Sequence, residues 1–177
     1  MAMAKKVLQV ACRTEESAGE ALRVANAELF PDLGLSAFLT AFFGILNLDR
    51  MSLRFARAGH NPLILFNPAR TKPLHVLKTG GMAIGMDRGP LFDKTLEEFD
   101  LRLKPGDLLL QYTDGIPESR DPKGEEFGME RFLDVVRRHG TETPERIVKA
   151  IEQTVTRFRA GVSVEDDLTA LAIRIGG

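Results

Sequence analysis

Five residues, Leu108-Leu-Leu-Gln-Tyr112, stand between two abrupt turns, and they constrain the fold more than any other stretch. In front of them, Lys104-Pro-Gly-Asp107 sets a corner: proline presets its first position and glycine takes positive φ. Behind them comes Thr113-Asp-Gly115. A short, mainly apolar run bounded by turn signals reads as a strand buried on both faces, in the interior of a sheet. Such a strand needs partners on both sides. It also leaves Asp114 fixed at its end, where a carboxylate either bonds its own backbone or holds something from outside.

The chain supplies the partners. Residues 38–46 are apolar with almost no alternation and are expected to be buried on both faces. Residues 52–58 alternate, with Leu53 and Phe55 opposite Arg54. Gly59-His-Asn-Pro62 turns the chain into a strand at 63–66, and 73–77 is another short one. Phe99, Leu101 and Leu103 alternate with Asp100, Arg102 and Lys104, and a last strand covers 168–175. Helices flank this series. Residues 1–13 read as a helix with no capping residue before it, and Thr14 caps a second one running to about Leu29. Ala18, Ala21, Leu22, Ala25 and Leu29 share one face of it, and Pro31-Asp-Leu-Gly34 ends it. Residues 129–139 form a third helix, stopped by Gly140, and Thr143-Pro144 opens a fourth that Gly161 closes near Arg159. Helices, an antiparallel strand series, helices and a final strand define an α+β fold and disfavour repeating strand–helix architectures.

A length of 177 residues with 44% apolar composition fits one domain spanning 1–177. Twenty-four basic residues face 25 acidic ones, a balance that favours neither nucleic acid nor an anionic membrane. The partners expected are proteins or small molecules. Cys12 is the single cysteine, so no internal disulfide forms, and this suits a cytoplasmic protein. No apolar run is long enough to span a bilayer, and the first residues lack the order of a signal peptide.

Three places could carry chemistry. Asp114 at a strand end, with Gly115 allowing close approach of a ligand, suits a hard cation such as Mg²⁺ or Mn²⁺; it equally suits a turn. Glu165, Asp166 and Asp167 crowd the entrance of the last strand, where a cation would relieve their repulsion and solvent would do the same. His60 is either an acid or phosphate contact or the brace of a tight turn. Zinc spacing, a nucleophile elbow and a phosphate-binding P-loop are all missing, and the glycines of 80–85 read as a hairpin loop.

Six segments then fall in a fixed order: Phe38-Leu-Thr-Ala-Phe-Phe-Gly44, Ala58-Gly-His-Asn-Pro62, Gly81-Met-Ala-Ile-Gly85, Leu103-Lys-Pro-Gly-Asp107, Tyr112-Thr-Asp-Gly-Ile-Pro-Glu118 and Asp166-Asp-Leu-Thr169. That order resembles the bacterial SpoIIE/RsbU branch of the metal-dependent (type-2C, PPM) serine/threonine phosphatases, over nearly the whole chain. The resemblance implies an α-β-β-α sandwich of two mainly antiparallel sheets with a two-metal Mn²⁺ or Mg²⁺ site at one end. It implies Asp114 and Asp166 as metal ligands, with Asp167 a further candidate and Gly115 a candidate substrate contact. The implied reaction is hydrolysis of phosphoserine or phosphothreonine on a regulator of partner-switching pathways, of the anti-anti-sigma type, by metal-activated water. The implied role of Ala58-Gly-His-Asn-Pro62 is a signature without metal contact, in line with His60 as a brace.

The family's upstream Gly-Asp and Asp-Val-x-Gly-His-Gly segments, which supply other ligands, do not occur here. The expectation is therefore a carboxy-terminal portion of such a domain, missing its first strands and weak or inactive alone. An exposed sheet edge would then favour a homodimer. The alternative is a non-catalytic, degenerate phosphatase module that binds a regulatory protein.

Overall fold

The computed structural model describes residues 6, 7, 9, 17–33, 37–163 and 167–176. Residues 6, 7 and 9 are helical; the rest of the first expected helix, Cys12 and the expected Thr14 cap lie outside the described residues. The chain divides into two compact units, each assembled from discontinuous stretches: 1–60 with 78–103, and 61–77 with 104–177. Each contains one antiparallel sheet with its helices, so the α+β fold class holds.

The first unit carries a three-stranded sheet in the order β1-β2-β5: β1 Ala41–Asn47, β2 Ser52–Ala58 and β5 Glu98–Arg102. Helix α1, Ala18–Leu33, lays the expected face of Ala18, Leu22, Ala25 and Leu29 against Ala56 and Ala58 of β2. Alanines on both surfaces allow the helix to lie close to the sheet. Ser17 caps α1, its Oγ accepting from the Glu20 N–H at 3.1 Å. Glu98 of β5 reaches the same terminus and accepts from the Gly19 N–H at 2.7 Å, a carboxylate at the positive end of a helix.

Three expectations for this unit are corrected. Pro31 does not end α1 but sits in its last turn, where its fixed φ is helical and only one hydrogen bond is forfeited. Strand β1 is not buried on both faces. It is the outer strand of its sheet, its residues are half-buried or exposed, and Phe38 just before it is 65% exposed. Among the aromatic side chains, Phe42 is covered by stacking on Phe55, ring centroids 5.3 Å apart. Lastly, residues 80–85 do not make a hairpin. They run alongside β1 and β2, with the Gly59 N–H donating to the Gly81 carbonyl and Leu39 and Ile84 exchanging main-chain bonds. The run then enters a short helix absent from the sequence reading, α2 Pro90–Thr95, anchored by Asp87 Oδ1 accepting from the N–H groups of Gly89, Leu91 and Phe92.

The second unit carries a four-stranded sheet in the order β4-β3-β6-β7: β3 Leu63–Phe66, β4 Leu74–Leu77, β6 Leu108–Tyr112 and β7 Ala170–Arg174. Strand β6 is interior, as its composition required. Ile64, Phe66, Leu108, Leu110 and Tyr112 form a core with Phe132, Val136, Ile147 and Ile151 from helices α3, Gly128–His139, and α4, Pro144–Arg159. Gly140 ends α3 for lack of space rather than for its dihedrals: φ is −67°, and a Cβ there would meet Val136 O at 2.4 Å and the Phe66 ring at 2.5 Å. Gly161 takes the expected positive φ, 95°, after α4, and the C-cap before it, Ala160, is also left-handed, φ 46°. The Arg174 guanidinium donates to the carbonyls of Gly106, Gly140 and Glu142, tying β7 to the end of α3. Burial lowers its pKa.

The corner before β6 is more than a turn. Gly106 has the expected positive φ of 84°. Asp107 is fully buried, and its carboxylate accepts from Arg70 Nε at 2.8 Å, Arg70 Nη2 at 2.5 Å, Asn67 Nδ2 at 2.9 Å and the Lys104 N–H at 2.8 Å. Burial pushes this carboxyl up, but those bonds outweigh it and hold the group below the usual carboxylate range. A depressed folded pKa means that the contribution is present above the unfolded value, about 3.9, and is lost as pH falls from there through the folded value. We expect Asp107→Asn to cost roughly 2–4 kcal/mol at pH 7, between a charge-assisted bond and a broken buried pair. In denaturant titrations the difference between the two chains should shrink below about pH 4.

Candidate functional site

Beyond Tyr112, which faces Ala170 in the register, the β6–β7 ladder goes on for one more step. The Thr113 N–H donates to the Thr169 carbonyl at 3.1 Å. The Thr169 N–H donates back, but to the Thr113 hydroxyl, at 3.0 Å. That hydroxyl in turn donates to the Asp167 carbonyl at 2.8 Å. The segment 167–169 is thereby stitched to the end of β6, and Leu168 packs into the core beside it. Asp114 and Asp167 thus both lie at one end of this sheet.

At Asp114 the chain turns. The Ile116 N–H donates to the Thr113 carbonyl at 3.2 Å and the Glu118 N–H to the Asp114 carbonyl at 2.9 Å. The Asp114 side chain is exposed, and its Oδ1 accepts from the Gly115 N–H at 3.1 Å. Gly115 is buried, and its carbonyl accepts from the Ser119 hydroxyl at 2.6 Å. Among the described residues neither Asp114 nor Asp167, which is also exposed, pairs with a lysine or arginine. Two uncompensated carboxylates at one strand end are hard oxygen donors. With waters they match what Mg²⁺ or Mn²⁺ takes from a protein, one or two carboxylates. Asp166 lies outside the described residues. Among the described residues no cluster of three metal-ligating side chains occurs, so Asp114 and Asp167 can furnish only part of a cage.

A hairpin held by main-chain and side-chain bonds follows the turn. The Phe127 N–H donates to the Ser119 carbonyl at 2.8 Å and the Gly128 N–H to the Pro117 carbonyl at 2.7 Å. Asp121 Oδ1 accepts from the N–H groups of Lys123 and Glu125, and Arg120 pairs with Glu126 at 2.6 Å. Phe127 fixes this hairpin to α4 through an edge contact with Phe158, over which Arg131 also lies at 5.1 Å. Arg131 pairs with Glu125 and donates to the carbonyls of Glu126 and Phe127. Sequence reasoning missed this element, although Asp121-Pro-Lys-Gly124 carries an ordinary turn signal.

His60 is placed as a brace in the first unit. Its Nδ1 lies 3.2 Å from Thr40 Oγ1, and its carbonyl accepts from Arg57 Nη1 at 2.6 Å. His139 pairs with Glu142 at 2.7 Å at the end of α3.

The fold is that of type-2C (PP2C) phosphatase domains. The SiaA-PP2C domain of Pseudomonas aeruginosa superposes with a TM-score of 0.80 at 22% identity, over 97% of this chain and 66% of that one. RsbX, solved in complex with magnesium, superposes with a TM-score of 0.61 at 16% identity, over 97% of this chain and 70% of that one. Residues 1–176 match the sequence profile of Stage II sporulation protein E (SpoIIE), and the chain belongs to the SpoIIE family. Protein IcfG of Synechocystis sp. is 31% identical over 154 residues, 86% of this chain and 23% of the relative. Phosphoserine phosphatase RsbU of Bacillus subtilis is 23% identical over 176 residues, 98% of this chain and 50% of the relative. The chain therefore spans half or less of the length of these two relatives. Among the described residues no helix is long and apolar enough to cross a membrane.

The hairpin's stiffness is open to measurement. Arg131→Met removes the Glu125 pair, two carbonyl contacts and the stacking on Phe158 at once. Proteolytic cleavage between residues 120 and 126 should accelerate severalfold. Global stability should fall by only about 1 kcal/mol, as for an exposed ion pair and a surface cation–π contact.

Proposed function

We propose that the chain is a metal-dependent protein phosphatase that removes phosphate from serine or threonine on a regulatory protein of the partner-switching, anti-anti-sigma type, in the cytoplasm. One observation carries this reading: the exposed, uncompensated Asp114 stands at a strand end to which Asp167, the last residue of the second acidic run, is hydrogen-bonded through its carbonyl. Asp114 and Asp167, with Asp166 by family resemblance, would hold Mn²⁺ or Mg²⁺. When bound, such a cation supplies Lewis acidity toward phosphoryl oxygen and a water acidic enough to ionise near neutral pH. Gly115 acts through its backbone, its N–H orienting the Asp114 carboxylate and leaving no side chain between that carboxylate and a phosphoester. The hard-oxygen donor set and the magnesium bound by RsbX support the choice of metal. The name of RsbU supports phosphoserine as substrate. The two units act as one domain across 1–177, since neither is a separable stretch of chain.

Hydrolysis of p-nitrophenyl phosphate and of a phosphoserine protein by this chain should be weak, require Mn²⁺ and stop with EDTA. Asp114→Asn should lower kcat/KM by about 100-fold, or about 2.7 kcal/mol. An unchanged rate in that variant would remove Asp114 from the reaction. Mn²⁺ binding without hydrolysis would make the chain a non-catalytic module that binds a regulator.

The reading includes a homodimer. Strand β7 is the outer strand of its sheet, carries no lysine or proline, and exposes Leu171 to 58%, features that invite edge pairing with a second copy. Light scattering should give twice the chain mass, and a monomer mass across concentrations would refute this part.

A further inference from the structure

We propose that Thr113 is a positioning residue for the candidate metal site, its hydroxyl locking the strand end that carries Asp114 to the segment that begins at Asp167. The inference rests on the reading of Asp114 as a metal ligand. It starts from an irregularity in the ladder. In an ordinary antiparallel pair of this kind, two residues exchange both main-chain bonds. Thr113 and Thr169 exchange only one. The return bond from the Thr169 N–H goes to the Thr113 hydroxyl, and the Thr113 carbonyl is left to accept from Ile116. The side chain has taken the place of the carbonyl. Through that substitution the chain can leave the sheet and begin the Asp114 turn without losing its β7 partner.

The hydroxyl is used at both ends. It accepts from Thr169 at 3.0 Å and donates to the Asp167 carbonyl at 2.8 Å. Only a hydroxyl can do both at this length, so valine, equal in shape, does neither. Without it the segment 167–169 would keep the main-chain bond to its carbonyl and the packing of Leu168, and Asp167 would be released. Asp114 and Asp167 carry like charge and no basic partner among the described residues, so repulsion would drive them apart. A cation would then have to reorder the site as it binds. Groups that orient metal ligands without touching the metal typically contribute 10- to 100-fold in affinity.

The test is Mn²⁺ uptake by the 177-residue chain, read from the EPR signal of free Mn²⁺ and independent of turnover. Wild type, Thr113→Val, Thr113→Ala, Thr113→Ser and Asp114→Asn are compared, each with a metal-free melting curve. Thr113→Val and Thr113→Ala should bind 10- to 100-fold more weakly. Thr113→Ser should keep wild-type affinity, and the metal-free melting of the serine and valine chains should agree within a few degrees. If Asp114→Asn loses Mn²⁺ while the valine or alanine variant binds like wild type, the role of Thr113 is refuted and the metal reading stands. A serine variant as weak as valine refutes the role of Thr113 as well. If wild type takes up no Mn²⁺, or Asp114→Asn binds it equally well, both inferences fall.

Discussion

Strand β6 is held between β3 and β7, and an aspartate stands at each of its ends. The two carboxylates have opposite fates, and the second unit is organised around that difference. Asp107 is withdrawn from water and met by Arg70, Asn67 and a main-chain N–H. A buried charge with that many partners is structural: it closes the corner and fixes where β6 begins. Asp114 is in solvent, accepts one hydrogen bond from its own neighbour, and has no basic partner among the described residues. An interior strand cannot slide without moving both partners, so pinning it at Asp107 also sets the position of Asp114. The structural aspartate and the candidate functional one are two ends of a single rigid element.

Much of this was legible in the chain. The interior character of β6 followed from an apolar run between turns, and the buried face of α1 from helical spacing. The turn glycine at 106 followed from its place after proline. What was not legible depended on long-range contact. Residues 38–46 look like a core strand because composition reports apolarity and not position, and β1 lies at a sheet edge. Asp107 looked like a turn residue because its cation, Arg70, is 37 positions away. The glycines of 80–85 looked like a hairpin because close backbone approach and tight turning call for the same residue.

The candidate site was half legible for the same reason. Asp114 and the acidic run before the last strand each had an ordinary explanation as turn or solvated loop. Nothing local could show that the Thr113 hydroxyl, 54 positions from Asp167, joins the two. Threonine in that place reads as a strand former, and its second use is invisible until the partner strand is known.

Rigidity beyond the ladder completes the picture. Glu125 and Glu126, in the hairpin that follows the Asp114 turn, are paired with Arg131 and Arg120 and serve to hold the hairpin. Asp114 and Asp167, by contrast, pair with no lysine or arginine among the described residues. The Asp114 turn is in turn fixed from three sides: by Thr113 to β7, by Ser119 to the Gly115 carbonyl, and by Phe127 to the aromatic contact on α4. An unpaired charge on a rigid strand end is what a phosphoryl-transfer site needs from its scaffold, since positioning and electrostatics carry most of that chemistry.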